Sequence, residues 1–94
     1  MSAKVRIYTT SYCGYCRAAK ALLGERSVQY EEIDCTDDGD TRRWLVEQTG
    51  QRTVPQIFIA DVPVGGFSEL SALDRAGRLA AILAGDEAPP SVAV

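Results

Sequence analysis

With 94 residues, of which 46% are hydrophobic and 24% charged, the chain is long enough for one domain with a single core. Its net charge of −3 argues against a nucleic-acid partner, and no apolar run approaches the roughly 18 residues of a membrane span. With no histidine and only three cysteines, neither a cysteine–histidine zinc site nor a four-cysteine zinc site can be built within one chain. The first four residues lead directly into a strand pattern without a signal-peptide core, so we predict a cytoplasmic protein.

Two strand–helix units are predicted in the first half of the chain. Alternating apolar residues predict a strand over residues 4–8. Apolar residues at helical spacing predict a helix over about residues 14–25, with Gly24 helping to end it. Residues 28–33 suit a second strand, and residues 41–48 suit a second helix because acidic residues precede them and a glycine follows.

The second half of the chain predicts a strand hairpin followed by helices. Residues 56–60 are almost all apolar, which is typical of a strand covered on both faces of a sheet. Residues 62–64 form a short partner strand, and their proline predicts a position at the edge of the sheet. Ser68 is predicted to cap the next helix, and a last short amphipathic helix follows Gly77.

The predicted order is therefore β-α-β-α-β-β-α with a short extra helix. A parallel βαβ start followed by an antiparallel hairpin gives a four-stranded mixed sheet flanked by helices, an α/β arrangement of the thioredoxin-like class. We predict one domain over residues 1–85 and a disordered C-terminal tail over residues 86–94.

Cys13 and Cys16 lie at the predicted junction between the first strand and the first helix. Cysteines at helix N-termini form thiolates readily, because unpaired backbone N–H groups and the helix dipole stabilise the negative charge. Cys16 lies one turn inside the helix and should be less exposed. We therefore predict a thiol–disulfide oxidoreductase in which Cys13 is the nucleophile and Cys16 the resolving thiol. The alternative is that the pair is half of a metal site or two buried small residues, and Cys35 is interpreted as buried or incidental.

Three segments resemble the dithiol glutaredoxins. They are IYTTSYCGYC at residues 7–16, TVPQIFI at residues 53–59 and GGFSEL at residues 65–70, and they occur in the family's order across about residues 4–84. The resemblance implies a glutathione-dependent enzyme that reduces protein disulfides and mixed disulfides of proteins with glutathione. Reduced glutathione would regenerate the dithiol, and the protein would act as a monomer.

The resemblance also implies a binding site for glutathione. A cis bond before Pro55 would turn the backbone of Val54 toward the cysteines, and the amides of Phe67 and Ser68 would hold the γ-glutamyl carboxylate. Tyr15 would flank the glutathione sulfur, while Gln51 or Arg52 would reach the glycyl carboxylate. The plainer alternatives are a proline that starts a strand, an ordinary strand-to-helix turn and a solvated surface. The full predicted binding set is Tyr15, Gln51, Thr53, Val54, Pro55, Gly66, Phe67 and Ser68.

Two positions depart from the family pattern at this site. Thr10 replaces a lysine that contacts the glycyl carboxylate, so either the affinity for glutathione is lower or Arg42, Arg43 or Arg52 substitutes for the lysine. Ser68 replaces a common aspartate, whose charge the neighbouring Glu69 is expected to restore.

A further departure is Gly14, which stands where proline is commonest. Family members with glycine or serine at this position include some that hold a [2Fe–2S] cluster between two protomers, through the first cysteine and glutathione. An iron–sulfur carrier or sensor with Cys13 as a ligand is therefore one alternative function. Another is a redoxin reduced by thioredoxin reductase or by a different low-molecular-weight thiol, because residues 12–16 also resemble those of mycothiol-dependent mycoredoxins.

Overall fold

A central four-stranded sheet organises the computed structural model, which describes residues 3–92. The strands and helices are β1 (Val5–Thr9), α1 (Gly14–Glu25), β2 (Glu31–Asp34), α2 (Gly39–Thr49), β3 (Gln56–Ile59), β4 (Val62–Gly65), α3 (Phe67–Arg75) and α4 (Arg78–Ala84). In the sheet order β2-β1-β3-β4, β1 pairs in parallel with β2 and antiparallel with β3, and β3 pairs antiparallel with β4. The predicted mixed sheet is confirmed, with β4 at its edge.

Each face of the sheet carries its own hydrophobic core, because successive strand residues point to opposite faces. Ile7 of β1 and Ile57 of β3 belong to the larger core, which α1, α3 and α4 cover with Leu23, Leu70 and Ile82, among others. Tyr8 and Phe58 point to the other face, where they pack with Cys35 and Leu45. The predicted α/β fold with flanking helices is therefore confirmed.

The prediction that β2 begins at residue 28 is wrong, and the end of α1 explains why. Ser27 adopts a left-handed conformation with φ of 56°, and the Val28 N–H donates to the Leu23 carbonyl at 2.9 Å. This is the Schellman arrangement, in which the residue after the left-handed position bonds back to the helix. Val28 is thus used to close α1, Gly24 lies within the helix, and β2 begins only at Glu31.

The helix α3 begins one residue before the predicted cap. Gly66, and not Ser68, is its N-cap: its carbonyl accepts the first helical hydrogen bond, from the Leu70 N–H at 3.0 Å. Ser68 therefore lies in the first turn of α3. The helix α2 begins at Gly39, two residues before the predicted start, because the Asp38 carboxylate caps it by accepting from the Thr41 N–H at 3.0 Å.

The segment after α4 returns toward the sheet. Arg78 donates to the Glu87 carboxylate at 3.0 Å, and the Val92 N–H donates to the Pro63 carbonyl at 2.8 Å. The boundary at residue 85 and the disorder of residues 86–94 stay predictions, and residues 93 and 94 lie outside the described residues. Across residues 3–92, every helix is too short or too polar to cross a bilayer.

Candidate active site

Cys13 is the N-cap of α1, and its sulfur lies at the N-terminus of that helix. The Cys16 N–H donates to Cys13 Sγ at 3.1 Å, and the Cys13 thiol donates to the Val54 carbonyl at 3.3 Å. The side chain is partly exposed. A partly exposed sulfur that accepts a backbone N–H bond at a helix N-terminus is well placed to act as a thiolate nucleophile.

Cys16 has the opposite environment. It is 1% exposed, and this burial, with the hydrogen bond to Cys13, raises the pKa of the Cys16 thiol to about 12. The Thr10 backbone and the charge of Lys20 act in the other direction but do not offset burial. Both cysteines are free thiols in this structure. Cys16 therefore stays protonated at neutral pH.

A polar network connects β1, β2 and α1 beside the cysteines. Glu32 accepts from the Thr9 hydroxyl at 2.8 Å and from Lys20 Nζ at 3.0 Å. The hydrogen bond from the Thr9 hydroxyl, followed by that from Lys20, lowers the pKa of Glu32. In turn, the Glu32 carboxylate raises the pKa of Lys20. Lys20 is thereby held as a cation, and its charge favours the thiolate form of Cys16.

The segment between α2 and β3 brings a peptide edge to Cys13. The Val54–Pro55 bond is cis, as the resemblance implied. At the other end of the segment, Gly50 is left-handed with φ of 71°, and the Thr49 hydroxyl accepts from the Gln51 N–H at 3.0 Å. Together these contacts fix the course of residues 50–55 past the cysteine pair.

The turn from β4 to α3 packs against the same segment. A Cβ on Gly66 would lie 3.1 Å from the Pro55 carbonyl oxygen, so the backbones approach too closely for a side chain without adjustment. The Tyr15 ring stacks on the Phe67 ring with a centroid separation of 6.1 Å. The cysteine motif, the cis-proline segment and the glycine turn, which are far apart in sequence, therefore meet at one place.

The other candidate residues take different positions. Arg42 reaches the cis-proline segment by donating to the Arg52 carbonyl at 3.1 Å, whereas Arg43 pairs with Asp40 at 3.3 Å within α2. Ser68 is exposed in the first turn of α3. The Glu69 carboxylate accepts from the Gly66 N–H at 3.2 Å, so its charge lies at the start of that helix.

Cys35 is buried in the smaller core, as the sequence interpretation had it. The Cys35 thiol donates to the Thr9 carbonyl at 3.2 Å, and burial raises the pKa of the thiol. The Cys35 thiol therefore stays protonated at neutral pH and bonded to the backbone of β1, outside the cysteine pair.

Sequence reasoning missed one residue of this region, Gln56. It is 0% exposed, and its side-chain amide donates to both Gln51 and Thr53. A signal was present in the sequence, because Gln56 is the one polar residue in a strand run predicted to be buried on both faces.

Comparison with known proteins shows which family this chain belongs to. The family model for glutaredoxins matches residues 5–64, which is more than half of the chain. This chain belongs to the glutaredoxin family. Its activity is that of a thiol–disulfide oxidoreductase, as predicted from the cysteine pair.

Individual glutaredoxins match almost the whole folded region. The glutaredoxin of Pseudomonas aeruginosa is 47% identical over 79 residues, covering 84% of this chain and 94% of that protein. Glutaredoxin 3 of Escherichia coli strain K12 is 41% identical over 81 residues, covering 86% of this chain and 98% of that protein.

Solved glutaredoxin structures share the fold. The solution structure of the Brucella melitensis glutaredoxin is 41% identical, with a TM-score of 0.80, and the match covers 87% of this chain and 89% of that one. The crystal structure of a buckwheat glutaredoxin–glutathione complex is 30% identical, with a TM-score of 0.83, and covers 89% of this chain and 79% of that one.

The part of this glutaredoxin that the structure describes offers no group of side chains suited to a metal ion. Among residues 3–92, no three histidine, cysteine or acidic side chains are grouped so that they could hold a metal ion. A cluster bridged by Cys13 of two protomers would need one sulfur from each chain. A Cβ at Gly14 would meet only the Arg17 side chain, at 4.0 Å, so no contact within the chain requires glycine at this position. Cluster binding stays a prediction.

Proposed function

We propose that this glutaredoxin reduces protein disulfides and glutathionylated proteins with glutathione, through Cys13 as nucleophile and Cys16 as resolving thiol. The observation that carries the proposal is the placement of the Cys13 sulfur at a helix N-terminus, 3.3 Å from the Val54 carbonyl beside the cis-proline segment. This gives a thiol with a peptide edge next to it, which suits an extended peptide such as glutathione.

With a glutathionylated protein, one cysteine is sufficient for turnover. The Cys13 thiolate attacks the glutathione sulfur of the mixed disulfide, and the protein thiolate leaves. A second glutathione thiolate then attacks the glutathione sulfur bound to Cys13. This releases oxidised glutathione and restores the Cys13 thiolate.

With a protein disulfide, Cys16 completes the reaction. Cys13 attacks one sulfur and displaces the other as a thiolate, which leaves the substrate joined to Cys13. Cys16 gives up its proton to the substrate thiolate just displaced and attacks Cys13 Sγ, so the second substrate sulfur leaves as a thiolate and the Cys13–Cys16 disulfide forms. Two glutathione molecules reduce that disulfide and become oxidised glutathione.

The glutathione site is proposed along the three converging segments. The Val54 backbone pairs with the cysteinyl part of the tripeptide, and the amides of Phe67 and Ser68 bind its γ-glutamyl carboxylate. Tyr15 flanks the sulfur. The buckwheat relative, whose solved structure is a complex with glutathione, supports this ligand.

The glycyl end of glutathione is assigned to the segment at residues 51–53. Arg42 is anchored there through the Arg52 carbonyl, and it supplies the positive charge that Thr10 lacks. Gln51 supplies a neutral donor on the same segment. The protein acts as a monomer in the cytoplasm.

Turnover measurements on cysteine variants test the proposal. Cys13→Ser should reduce neither substrate above the uncatalysed rate, whereas Cys16→Ser should still deglutathionylate a peptide and lose the reduction of protein disulfides. Glutathione should outperform mycothiol and thioredoxin reductase as the electron donor to the wild-type protein. Retained turnover in Cys13→Ser, or a preference for another donor, would contradict the assignment.

A further inference from the structure

The Thr53 carbonyl determines how the buried side chain of Gln56 is oriented. One end of the Gln56 amide lies 2.9 Å from the Thr53 carbonyl oxygen. A carbonyl oxygen only accepts hydrogen bonds, so the end of the amide that faces it must be the nitrogen. The opposite orientation would place two oxygens against each other in a fully buried position.

This orientation determines that of a second amide, on Gln51. Gln56 Nε2 also lies 3.0 Å from the Gln51 side chain, and a nitrogen donor there requires an acceptor. The end of Gln51 that faces the interior is therefore its oxygen, Oε1. The amide nitrogen, with two N–H donors, is the end that Gln56 does not engage, and Gln51 is partly exposed.

The arrangement leaves a buried acceptor without a partner. Gln56 Oε1 has no hydrogen-bond partner in the part of the chain that the structure describes. Most buried polar atoms are paired, so an unpaired one marks an orientation imposed by other contacts. Here the orientation is set by the two hydrogen bonds that Gln56 donates, one to the Gln51 side chain and one to the Thr53 carbonyl.

We propose that Gln56 is a positioning residue that fixes the polarity of Gln51, so that the enzyme presents an amide N–H and not an amide oxygen to the glycyl carboxylate of glutathione. The inference rests on the proposed function, because it requires glutathione to lie along residues 51–53. A carboxylate is attracted by an N–H donor and repelled by a carbonyl oxygen, so the orientation of one amide decides whether Gln51 helps or hinders binding.

The test compares glutathione with glutathione amidated at its glycyl carboxylate, in the wild type and in Gln56→Met. Methionine keeps an unbranched side chain of similar length but cannot donate to Gln51. We expect the wild type to have a higher kcat/KM with glutathione than with the amidated peptide. In Gln56→Met this ratio should fall about tenfold, because the KM for glutathione rises. Gln29→Met, an exposed glutamine on the segment before β2, is the matched control and should keep the full preference.

A second pair of measurements avoids any change to the core. Gln51→Glu replaces the outward donor with an acceptor, and it should shift the preference toward the amidated peptide. In the wild type, the side-chain N–H resonances of Gln51 should move on titration with glutathione and much less with the amidated peptide. These two experiments keep the inference testable if Gln56→Met does not fold.

The inference and the proposed function fail in different ways. If the wild type gains no turnover from glutathione while dithiothreitol still drives disulfide reduction, the proposed function is wrong and the inference falls with it. If glutathione is the donor but Gln56→Met keeps the wild-type preference, or weakens both peptides equally, Gln56 does not set the polarity of Gln51. Unmoved Gln51 resonances would contradict the inference in the same way.

Discussion

Cys13 and Cys16 are separated by only two residues, yet they differ in their access to solvent. Cys13 lies at the open N-terminus of α1, and Cys16 faces the interior one turn later. Position along the helix produces this difference: Cys13 is the N-cap at the open end, whereas Cys16 lies in the first turn and belongs to the buried stripe with Ala19 and Leu23. The proposed division between a nucleophile and a resolving thiol therefore rests on where α1 begins.

The burial of Cys16 predicts how its reactivity depends on pH. Its pKa is raised to about 12, so between pH 7 and pH 10 the thiolate fraction should rise about tenfold per pH unit without a plateau. In Cys13→Ser the contribution of Cys13 is removed but burial, the largest cause of the raised pKa, remains, so the rate of Cys16 alkylation by iodoacetamide, measured by peptide mass spectrometry, should still rise without a plateau. In urea-unfolded protein the same rate should level off near the ordinary thiol pKa. A plateau below pH 9 in the folded variant would contradict the burial argument.

The raised pKa of Cys16 also predicts how the stability of the fold depends on pH. A thiol whose pKa is higher in the folded protein than in the unfolded chain stabilises the fold while both forms are protonated. That contribution is present below the ordinary thiol value near 9 and is lost as pH rises toward 12. We therefore expect the folded protein to lose stability in strong alkali partly through Cys16.

The different environments of Cys13 and Cys16 could be predicted from the sequence, whereas the contacts of Gln56 could not. The burial of Cys16 and the exposure of Cys13 depend on local helix geometry, which the spacing of three residues specifies. The role of Gln56 depends on how residues 51–53 fold back over it, and that course is set by the left-handed Gly50 and the Thr49 hydroxyl. A buried polar residue can be noticed in a sequence, but its partners come from tertiary structure.

At the scale of elements, the site depends on how closely the β4–α3 turn approaches the cis-proline segment. A methyl group on Gly66 would lie 3.1 Å from the Pro55 carbonyl, although φ of −95° suits any residue. Gly66→Ala should therefore displace the two segments by a few tenths of an ångström, lower stability by about 1 kcal/mol and raise the KM for glutathione several-fold. Urea unfolding and steady-state kinetics measure both effects.

Gly39→Ala is the matched control for that change. Gly39 begins α2, and a Cβ there would meet nothing within 4 Å. Its stability should stay within about 0.5 kcal/mol of the wild type, and its KM should not change. If Gly66→Ala behaved like Gly39→Ala, the close approach would have no part in the site.

The observed starts of β2 and α3 show which local sequence patterns were misleading. Alternating apolar residues suggested a strand from residue 28, but the Val28 N–H is used to close α1 and cannot join a strand ladder. Ser68 is a good N-cap residue by type, but α3 begins where Gly66 comes against Pro55. In both cases a hydrogen bond or backbone contact outweighed side-chain preference.

At the scale of the molecule, two cores hold the sheet, and every residue of the proposed site lies before residue 70. The buried members of the larger core extend to Ile82. The segment beyond residue 85 adds the Arg78–Glu87 ion pair and the Val92–Pro63 hydrogen bond. The fold class was accessible from the sequence because the order of elements and their apolar faces specify a four-stranded sheet with two covered faces.

A truncated chain tests the predicted boundary at residue 85. Residues 1–85 should fold cooperatively and keep the kcat/KM for glutathione, because all site residues and both cores are retained. The truncation removes the Arg78–Glu87 ion pair and the backbone hydrogen bonds from Asp86 to Ala81 and from Val92 to Pro63. Their loss should cost about 2 kcal/mol, which thermal unfolding can measure. Loss of cooperative unfolding would show that residues 86–94 belong to the folded domain.

The central claim is that Cys13 exchanges disulfides with glutathione and Cys16 resolves the product. The most direct test is to incubate Cys16→Ser and Cys13→Ser with oxidised glutathione and to weigh the intact proteins. Cys16→Ser should gain one glutathionyl group, mapped to Cys13 and removed by reduced glutathione, while Cys13→Ser should gain none. An unmodified Cys16→Ser, or equal modification of Cys13→Ser, would contradict the account.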